Sequence, residues 1–270
     1  MTLKILITGG NGNIAKIITH NLLPKYNISA PSKLELNILN YNELKDYFNR
    51  HNFDILIHTA ITGGRRTKID TSDVVYSNLL MMENILLFAD RFKMIINLDS
   101  AAIYDRSTDI SNRKENDLFT IPMDYYGFSK YMIFMRTLQY ENIYHLRIFN
   151  LFHDNEEPER FIKTCRLAKA ESSVVTILED KYFDFFSAED FIKVLEYYLT
   201  HLTSIKEKVI NLCYEEKYKL SDIAKMIQPD TNLIKVIEVS QRNYTGDGTL
   251  LKHLGLDVSN LIHCCLYKET

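Results

Sequence analysis

A short apolar run, Leu3-Lys4-Ile5-Leu6-Ile7, passes directly into Thr8-Gly9-Gly10-Asn11-Gly12-Asn13-Ile14-Ala15, and Ile14, Ile17, Ile18 and Leu22 then recur at helical spacing. An unalternating apolar run is the pattern of a strand buried on both faces. Glycine permits a tight strand-to-helix reversal and a close backbone approach to a pyrophosphate, whose charge the helix N-terminus receives. Ala15 fills the third small position, where the helix packs on the sheet. The same residues also serve a β-α turn that binds nothing. The turn therefore restricts the fold more firmly than the function, with Gly9, Asn11, Gly12, Asn13 and Ile14 as candidate contacts.

Strand-like runs alternate with helical patterns through the first two-thirds of the chain. Asp54–His58 and Met94–Leu98 read as buried strands, Val74–Phe88 as a helix between them, and Tyr144–Phe149 as a later strand. Strands alternating with helices predict an α/β fold, a Rossmann-like doubly wound parallel sheet. After Asn150 the pattern is mixed. The expected division is a dinucleotide-binding domain of residues 1–152 and 180–212, with a small substrate-binding lobe of residues 153–179 and 213–270.

Tyr126-Gly127-Phe128-Ser129-Lys130 places a phenol and an amine about one helical turn apart, so they share a face. A cation beside a phenol favours the phenolate and makes the tyrosine a usable proton donor near neutral pH. Ser100 lies upstream at the end of a predicted strand. Singly, each residue has an ordinary structural use: a capped turn, a packed ring, a solvated charge.

Composition excludes several alternatives. The 270 residues carry a net charge of −3, with charged residues at 25%, so no polyanion-binding surface is expected and nucleic acid is not a predicted partner. No apolar run reaches the ~20 residues that span a bilayer. The N-terminus enters a strand at once, without signal-peptide character. Cys165, Cys213, Cys264 and Cys265 lack metal-ligand spacing, and the adjacent pair makes a poor disulfide framework. The expectation is a reducing cytoplasmic setting and no metal site.

Together these segments resemble the extended short-chain dehydrogenase/reductase (NAD-dependent epimerase/dehydratase) family, over most of the chain. The resemblance rests on the glycine turn, Ile57-His58-Thr59-Ala60, Asn78, Ser100-Ala101-Ala102-Ile103-Tyr104, Tyr126 with Lys130, Arg147-Ile148-Phe149-Asn150 and Asn211-Leu212. Lys33–Asn40, Ala60-Ile61-Thr62-Gly63-Gly64 and Gly246–Lys252 resemble its GDP-fucose synthase-like branch of 4-keto-6-deoxy-sugar reductases. The resemblance implies a catalytic set of Ser100, Tyr126 and Lys130. It implies cofactor contacts at the turn, Asn37, Ile38, Thr59, Ala60, Tyr126 and Lys130, and a nucleotide-sugar site that includes Ala102, Asn150, Arg242 and Lys252. It also implies a homodimer built on the helices around residues 74–91 and 126–140, with Leu80, Met81, Met82, Ile85, Met132, Ile133 and Met135 as candidate apolar surface.

Cofactor choice turns on a missing charge. NAD enzymes of this fold carry an acid at the end of the second strand. Here Ile28-Ser29-Ala30-Pro31-Ser32-Lys33 offers a hydroxyl and a cation instead, which favours NADP(H), with NAD(H) still allowed. Lys33 is equally readable as an ordinary surface lysine.

Departures from the family pattern narrow the chemistry. Ala101-Ala102 after Ser100 lacks the acids of the dehydratases. Ala102 stands where the fucose synthases have a proton-transferring cysteine, and His153 does not align with their partner histidine, so a ketoreductase without 3,5-epimerase activity is expected. Phe183-Asp184-Phe185 replaces an Arg-Asp-Phe stretch that grips the diphosphate. Arg242 and Lys252 are the remaining candidates for that grip. Arg65, Arg66 and Lys68 form a basic cluster beside the Gly63-Gly64 loop, which reads first as solvated. Phe183, Phe185 and Phe186 read as core, and His58 as a packed residue. The competing readings are an NAD-dependent nucleotide-sugar epimerase and a non-catalytic cofactor-binding regulatory or scaffold protein.

Overall fold

The structure, a computed structural model, describes residues 2–65, 68–240 and 242–266. Arg66 of the basic cluster lies outside them. In chain order the first elements are β1 (Lys4–Thr8), α1 (Asn13–Leu22), β2 (Asn27–Ser29), α2 (Tyr41–Arg50), β3 (Ile55–His58), α3 (Asp73–Leu86) and β4 (Met94–Ser100). There follow β5 (Ile110–Arg113), α4 (Tyr125–Thr137), β6 (Ile143–Ile148), β7 (Leu151–Phe152), α5 (Phe161–Glu171), β8 (Val175–Asp180), β9 (Phe186–Ser187) and α6 (Ala188–Thr200). The chain continues with β10 (Val209–Leu212), α7 (Leu220–Ile227), β11 (Ile234–Val239), β12 (Tyr244–Gly246), α8 (Thr249–His253) and α9 (Leu261–Leu266).

Two compact units emerge. The first comprises Met1–Asp105, Leu118–Arg147 and Tyr198–Ile210; the second comprises Arg106–Asp117, Ile148–Tyr197 and Asn211–Thr270. Residues 106–117, 148–152, 180–197 and 211–212 therefore group with the second unit, whereas the sequence placed them in the first. Strand pairing supplies the reason: β5 pairs with β12, and β7 with β9, so each short strand follows a partner from later in the chain.

A six-stranded parallel sheet organises the first unit, in the order β10-β6-β4-β3-β1-β2. This is the Rossmann-like arrangement that the alternation predicts. Leu6, Leu56 and Ile95 stand in register across β1, β3 and β4. They are fully buried in a core that also holds Leu44 and Phe48 from α2, Met81, Met82 and Ile85 from α3, and Ile133 from α4. Burying each such side chain contributes roughly 1.5–3 kcal/mol.

Two residues further along each strand, on the same face, the row becomes polar. Thr8, His58 and Asn97 are in register, and His145 of β6 joins them, with Asn97 Nδ2 at 3.2 Å from its Nδ1 and Thr137 Oγ1 at 2.9 Å from its Nε2. Burial pushes the His58 imidazole down to about 3, helped by the charge on Lys130. Burial likewise pushes His145 down to about 4. Both rings are therefore neutral inside the fold at ordinary pH.

The second unit has its own polar anchors. Asp190, fully buried, accepts from the Tyr214 hydroxyl at 2.7 Å, from Lys193 at 2.9 Å and from the Ser259 amide at 3.1 Å, which clasps the C-terminal segment to α6. Asp184 accepts from Lys217 at 2.7 Å and from the Gly246 amide at 2.8 Å. Burial, partly offset by Lys217, raises its carboxyl to about 6.

Neutral buried histidines make stability depend on acid. The unfolded chain takes up a proton at each near pH 6.5, the folded chain only near pH 3 to 4. The stabilisation is thus complete above pH 6.5 and drains away as pH falls through that window. For His145 the loss between pH 7 and pH 5 amounts to about 2 kcal/mol, at ~1.4 kcal/mol per pH unit. Urea unfolding at the two pH values should show a larger decline for the parent than for His145→Gln. The comparison cancels the opposite contribution of Asp184; equal declines would contradict the buried neutral ring.

Candidate active site

The glycine turn is wedged between two strand ends. Gly10 donates its amide to the Pro31 carbonyl at 2.9 Å, and a Cβ on Gly10 would lie 1.9 Å from the Ala30 carbonyl oxygen. Gly9 has φ +70°, and its α-carbon sits so close to Ala60 that a Cβ would meet it at 3.0 Å. Thr8 Oγ1 accepts the amides of Thr59 at 3.2 Å and Ala60 at 3.3 Å, and meets His58 Nδ1 at 2.9 Å. With both acceptor positions used, the hydroxyl proton goes to Nδ1, so the neutral ring carries its proton on Nε2. Thr59 Oγ1 returns a bond to the Thr8 carbonyl at 2.6 Å. Thr59 and Ala60 thus form one rigid edge with the turn.

Above that edge Asn11, Gly12 and Asn13 are exposed, and Gly9 and Ile14 half-buried. Gly12 is the N-cap of α1 and brings no side-chain cap to its amides. Lys33 is exposed, Asn37 half-buried, and Ile38 is a core residue whose carbonyl accepts from Asn84 at 2.9 Å. Glu35 folds back on this turn, its carboxylate accepting the Ser32 amide at 2.7 Å. An acid therefore stands two residues beyond Lys33, in a stretch where the sequence reading stopped short.

Helix α4 begins where Asp124 accepts the Gly127 amide at 2.8 Å, which puts Tyr126 in its first turn. Lys130, one turn on, is 4% exposed, and its ammonium donates to the Leu98 carbonyl at 2.7 Å. It lies 5.9 Å from the Tyr126 ring centroid. Burial pushes this amine down to about 8, with Asp99 pulling the other way. Ser100 closes β4; its Oγ accepts the Ala102 amide at 3.2 Å, and a hydroxyl so used still has its proton to give.

Asn78 ties these parts together. Its Oδ1 accepts the Thr62 amide at 2.8 Å, while its Nδ2 donates to the Thr62 carbonyl at 3.0 Å and to Ser129 Oγ at 3.0 Å. Ser129 in turn donates to the Tyr126 carbonyl at 2.7 Å. The Gly63-Gly64 loop is thereby pinned to the first turn of α4, and Gly64 lies against the Tyr126 ring so tightly that a Cβ would come within 2.8 Å of it.

Ala102 is buried at 1% exposure, so a group bound at the surface would meet its surroundings rather than its methyl. The second unit holds the other expected substrate residues. Asn150 is buried and accepts from Arg160, which also donates to the Leu151 carbonyl at 3.3 Å. Arg242 is exposed and donates to the Ser107 carbonyl at 3.3 Å. Lys252 is an exposed partner of Glu215 at 2.7 Å, a pair of little energetic weight. Phe183 is half-buried between Phe185 and Tyr244, with ring centroids 5.1 Å from each; Phe185 and Phe186 are buried, so the core expectation holds for those two. His153 is half-buried, and its own burial lowers its pKa.

Residues 5–213 match the NAD dependent epimerase/dehydratase family. The chain belongs to that family. It is 30% identical over 112 residues to GDP-L-colitose synthase of Yersinia pseudotuberculosis, a match that spans 40% of this chain and 36% of that protein. Its fold is similar to GDP-mannoheptose C4 reductase from Campylobacter jejuni with NADP bound, at TM-score 0.79 and 18% identity, covering 97% of this chain and 95% of that one. The Bordetella bronchiseptica enzyme WbmG in complex with NAD is also similar, at TM-score 0.81 and 16% identity, covering 97% and 92%.

Sequence reasoning missed Asp99, Glu35 and Arg160, which act through bonds to residues it had named. The position of Asp99 directly before Ser100, and of Glu35 two residues after Lys33, could have flagged two of them. The Asn78 network is directly testable. Asn78→Ala leaves Ser129 and both Thr62 groups short of a partner, at a cost of about 1–3 kcal/mol, and Thr62 amide exchange should quicken by about tenfold or more. Unchanged exchange and unfolding would show that the loop is held by other means.

Proposed function

We propose that this family member reduces a nucleotide-linked 4-keto-6-deoxy sugar with NADPH, without 3,5-epimerase activity. The observation that supports this most is the buried Lys130, fixed on the Leu98 carbonyl one helical turn from Tyr126. A surface lysine needs no such seat.

The residues at the turn fit a dinucleotide: two glycines whose Cβ positions are filled by neighbouring backbone, and a helix start with no side-chain cap. Gly9, Asn11, Gly12, Asn13 and Ile14 would border its pyrophosphate, Lys33, Asn37 and Ile38 its adenosine end, and Thr59, Ala60, Tyr126 and Lys130 its nicotinamide end. When bound, that group supplies the hydride. Tyr126 gives its phenolic proton to the substrate oxygen, where negative charge develops as the carbonyl is reduced. Ser100 donates a hydrogen bond to that same oxygen. The Lys130 cation eases proton loss from the phenol. Asn150, Arg242 and Lys252 are assigned to the nucleotide sugar.

NADP(H) is the favoured cofactor because Lys33 is an exposed cation in the turn after β2, and because the Campylobacter reductase of like fold carries NADP. Glu35, two residues after Lys33 and bonded to the Ser32 amide, favours the second reading, an NAD-dependent nucleotide-sugar epimerase, and WbmG is seen with NAD. A homodimer through α3 and α4 is part of the proposal, on an altered surface. Met81, Met82, Ile85 and Ile133 belong to the core and Leu80 is half-buried, so Met132 and Met135, with Tyr76, Leu87, Tyr125 and Leu138, are the exposed apolar groups on and beside these helices.

The experiment mixes the protein with NADPH and a panel of nucleotide-linked 4-keto-6-deoxy sugars, and follows the nicotinamide absorbance. One nucleotide should support oxidation, with the C3 and C5 configurations retained because Ala102 cannot move a proton. Tyr126→Phe should lower turnover by about 10²–10⁴-fold while sparing NADPH binding. Turnover that survives the substitution would remove Tyr126 from the chemistry. Absence of oxidation across the panel would favour the epimerase or a non-catalytic role.

A further inference from the structure

Beneath the serine loop lies a buried charge cluster. Arg147 of β6 is fully buried, and its Nε donates to Asp99 Oδ2 at 3.0 Å. Its Nη1 donates to the Tyr104 hydroxyl at 2.6 Å. The guanidinium lies 4.9 Å from the Tyr104 ring centroid and 5.1 Å from that of Phe134. Phe134 is one turn along α4 from Lys130, so the two cations approach the same patch of sheet, one from the strand and one from the helix. The other oxygen of Asp99, Oδ1, accepts the Ser100 amide at 2.8 Å.

The ionisable groups facing this patch are His58 from β3, Asp99 from β4, Tyr104 from the loop after it, Tyr126 and Lys130 from α4, and His145 and Arg147 from β6. Both histidines are neutral. Two cations therefore face one carboxylate. An arginine does not give up its proton in a protein, whereas a buried lysine does so readily. Any loss of negative charge here falls on Lys130.

We infer that Asp99 is a positioning residue of the candidate site: one carboxylate oxygen holds the Ser100 backbone, and its charge lets Lys130 stay protonated beside the permanent cation Arg147. The inference rests on the catalytic reading of Lys130, but its test does not. Asp99→Asn removes the charge and keeps one oxygen for the Ser100 amide, while its NH2 group replaces the oxygen that Arg147 Nε now meets. It should lower the share of Lys130 that is protonated near neutral pH without touching that residue.

The protein labelled with ¹³C at the lysine ε-carbons allows Lys130 to be titrated by NMR, its signal assigned by its absence in Lys130→Met. In the parent it should titrate near pH 8. Asp99→Asn should move the midpoint to lower pH by of order one unit. Adding Arg147→Met to that variant removes the second cation, and with it the contact between two donors, and should return the midpoint toward the parent value. Arg147→Met alone leaves Asp99 to act on Lys130 by itself and should raise the midpoint, so the inference stays testable where Asp99→Asn does not fold. A Lys130 midpoint unmoved by the charge changes would overturn it. A protein that titrates as described yet reduces no sugar would overturn the proposed function and leave the role of Asp99 standing.

Discussion

Lys130 carries a cation into a place that water scarcely reaches, and the first unit is arranged around making that tolerable. One proton is taken by the Leu98 carbonyl, Asp99 offsets the charge, and the two nearest histidines are held neutral. Each of these conditions depends on strand register. Leu98 and Asp99 follow Asn97, which is in register with His58, which is in register with Thr8. A slip of one residue in β3 or β4 would turn this polar row to the other face and send core residues in its place. The apolar row of Leu6, Leu56 and Ile95 two residues earlier resists that slip, so core packing and site electrostatics are specified by the same alignment.

The glycine turn obeys the same logic. Its shape is set by Thr8, which uses one hydroxyl to hold two amides of the β3 exit and the His58 ring. That ring faces the patch where Lys130 lies. The segment read as a ligand-binding turn and the segment read as a catalytic helix are therefore linked through side chains rather than only through the sheet.

Much of this was legible in the chain. Unbroken apolar runs marked β1, β3 and β4, because strands buried on both faces leave no alternation to confuse them. The Tyr126–Lys130 spacing fixed a shared helix face, and Asn78 was singled out through the family pattern. The boundary between units was not legible. Short strands such as β5 and β7 carry too few residues for a pattern, and their partners β12 and β9 lie far along the chain. The apolar surface of α3 and α4 was misjudged for a related reason: a helix buried on one face and apolar on another shows no clean stripe, so Met81 and Ile133 read like Met132 until packing separates them.

Asp99 shows the limit of spacing arguments most clearly. In the sequence it is a charged residue at the end of an apolar run, which reads as the point where a strand meets water. In the fold it is 3% exposed and bonded to Arg147, 48 residues away. A buried carboxylate is costly unless it is paired, and the partner that makes it affordable is visible only when β4 and β6 are placed side by side. The same pairing explains why an arginine can be fully buried beside a lysine: neither cation is stable there without the acid, and of the two only the lysine can escape by losing a proton. Sequence motifs identify the group that does chemistry; the residue that keeps that group in its working charge state need share no motif with it, and is found by asking what balances each buried charge.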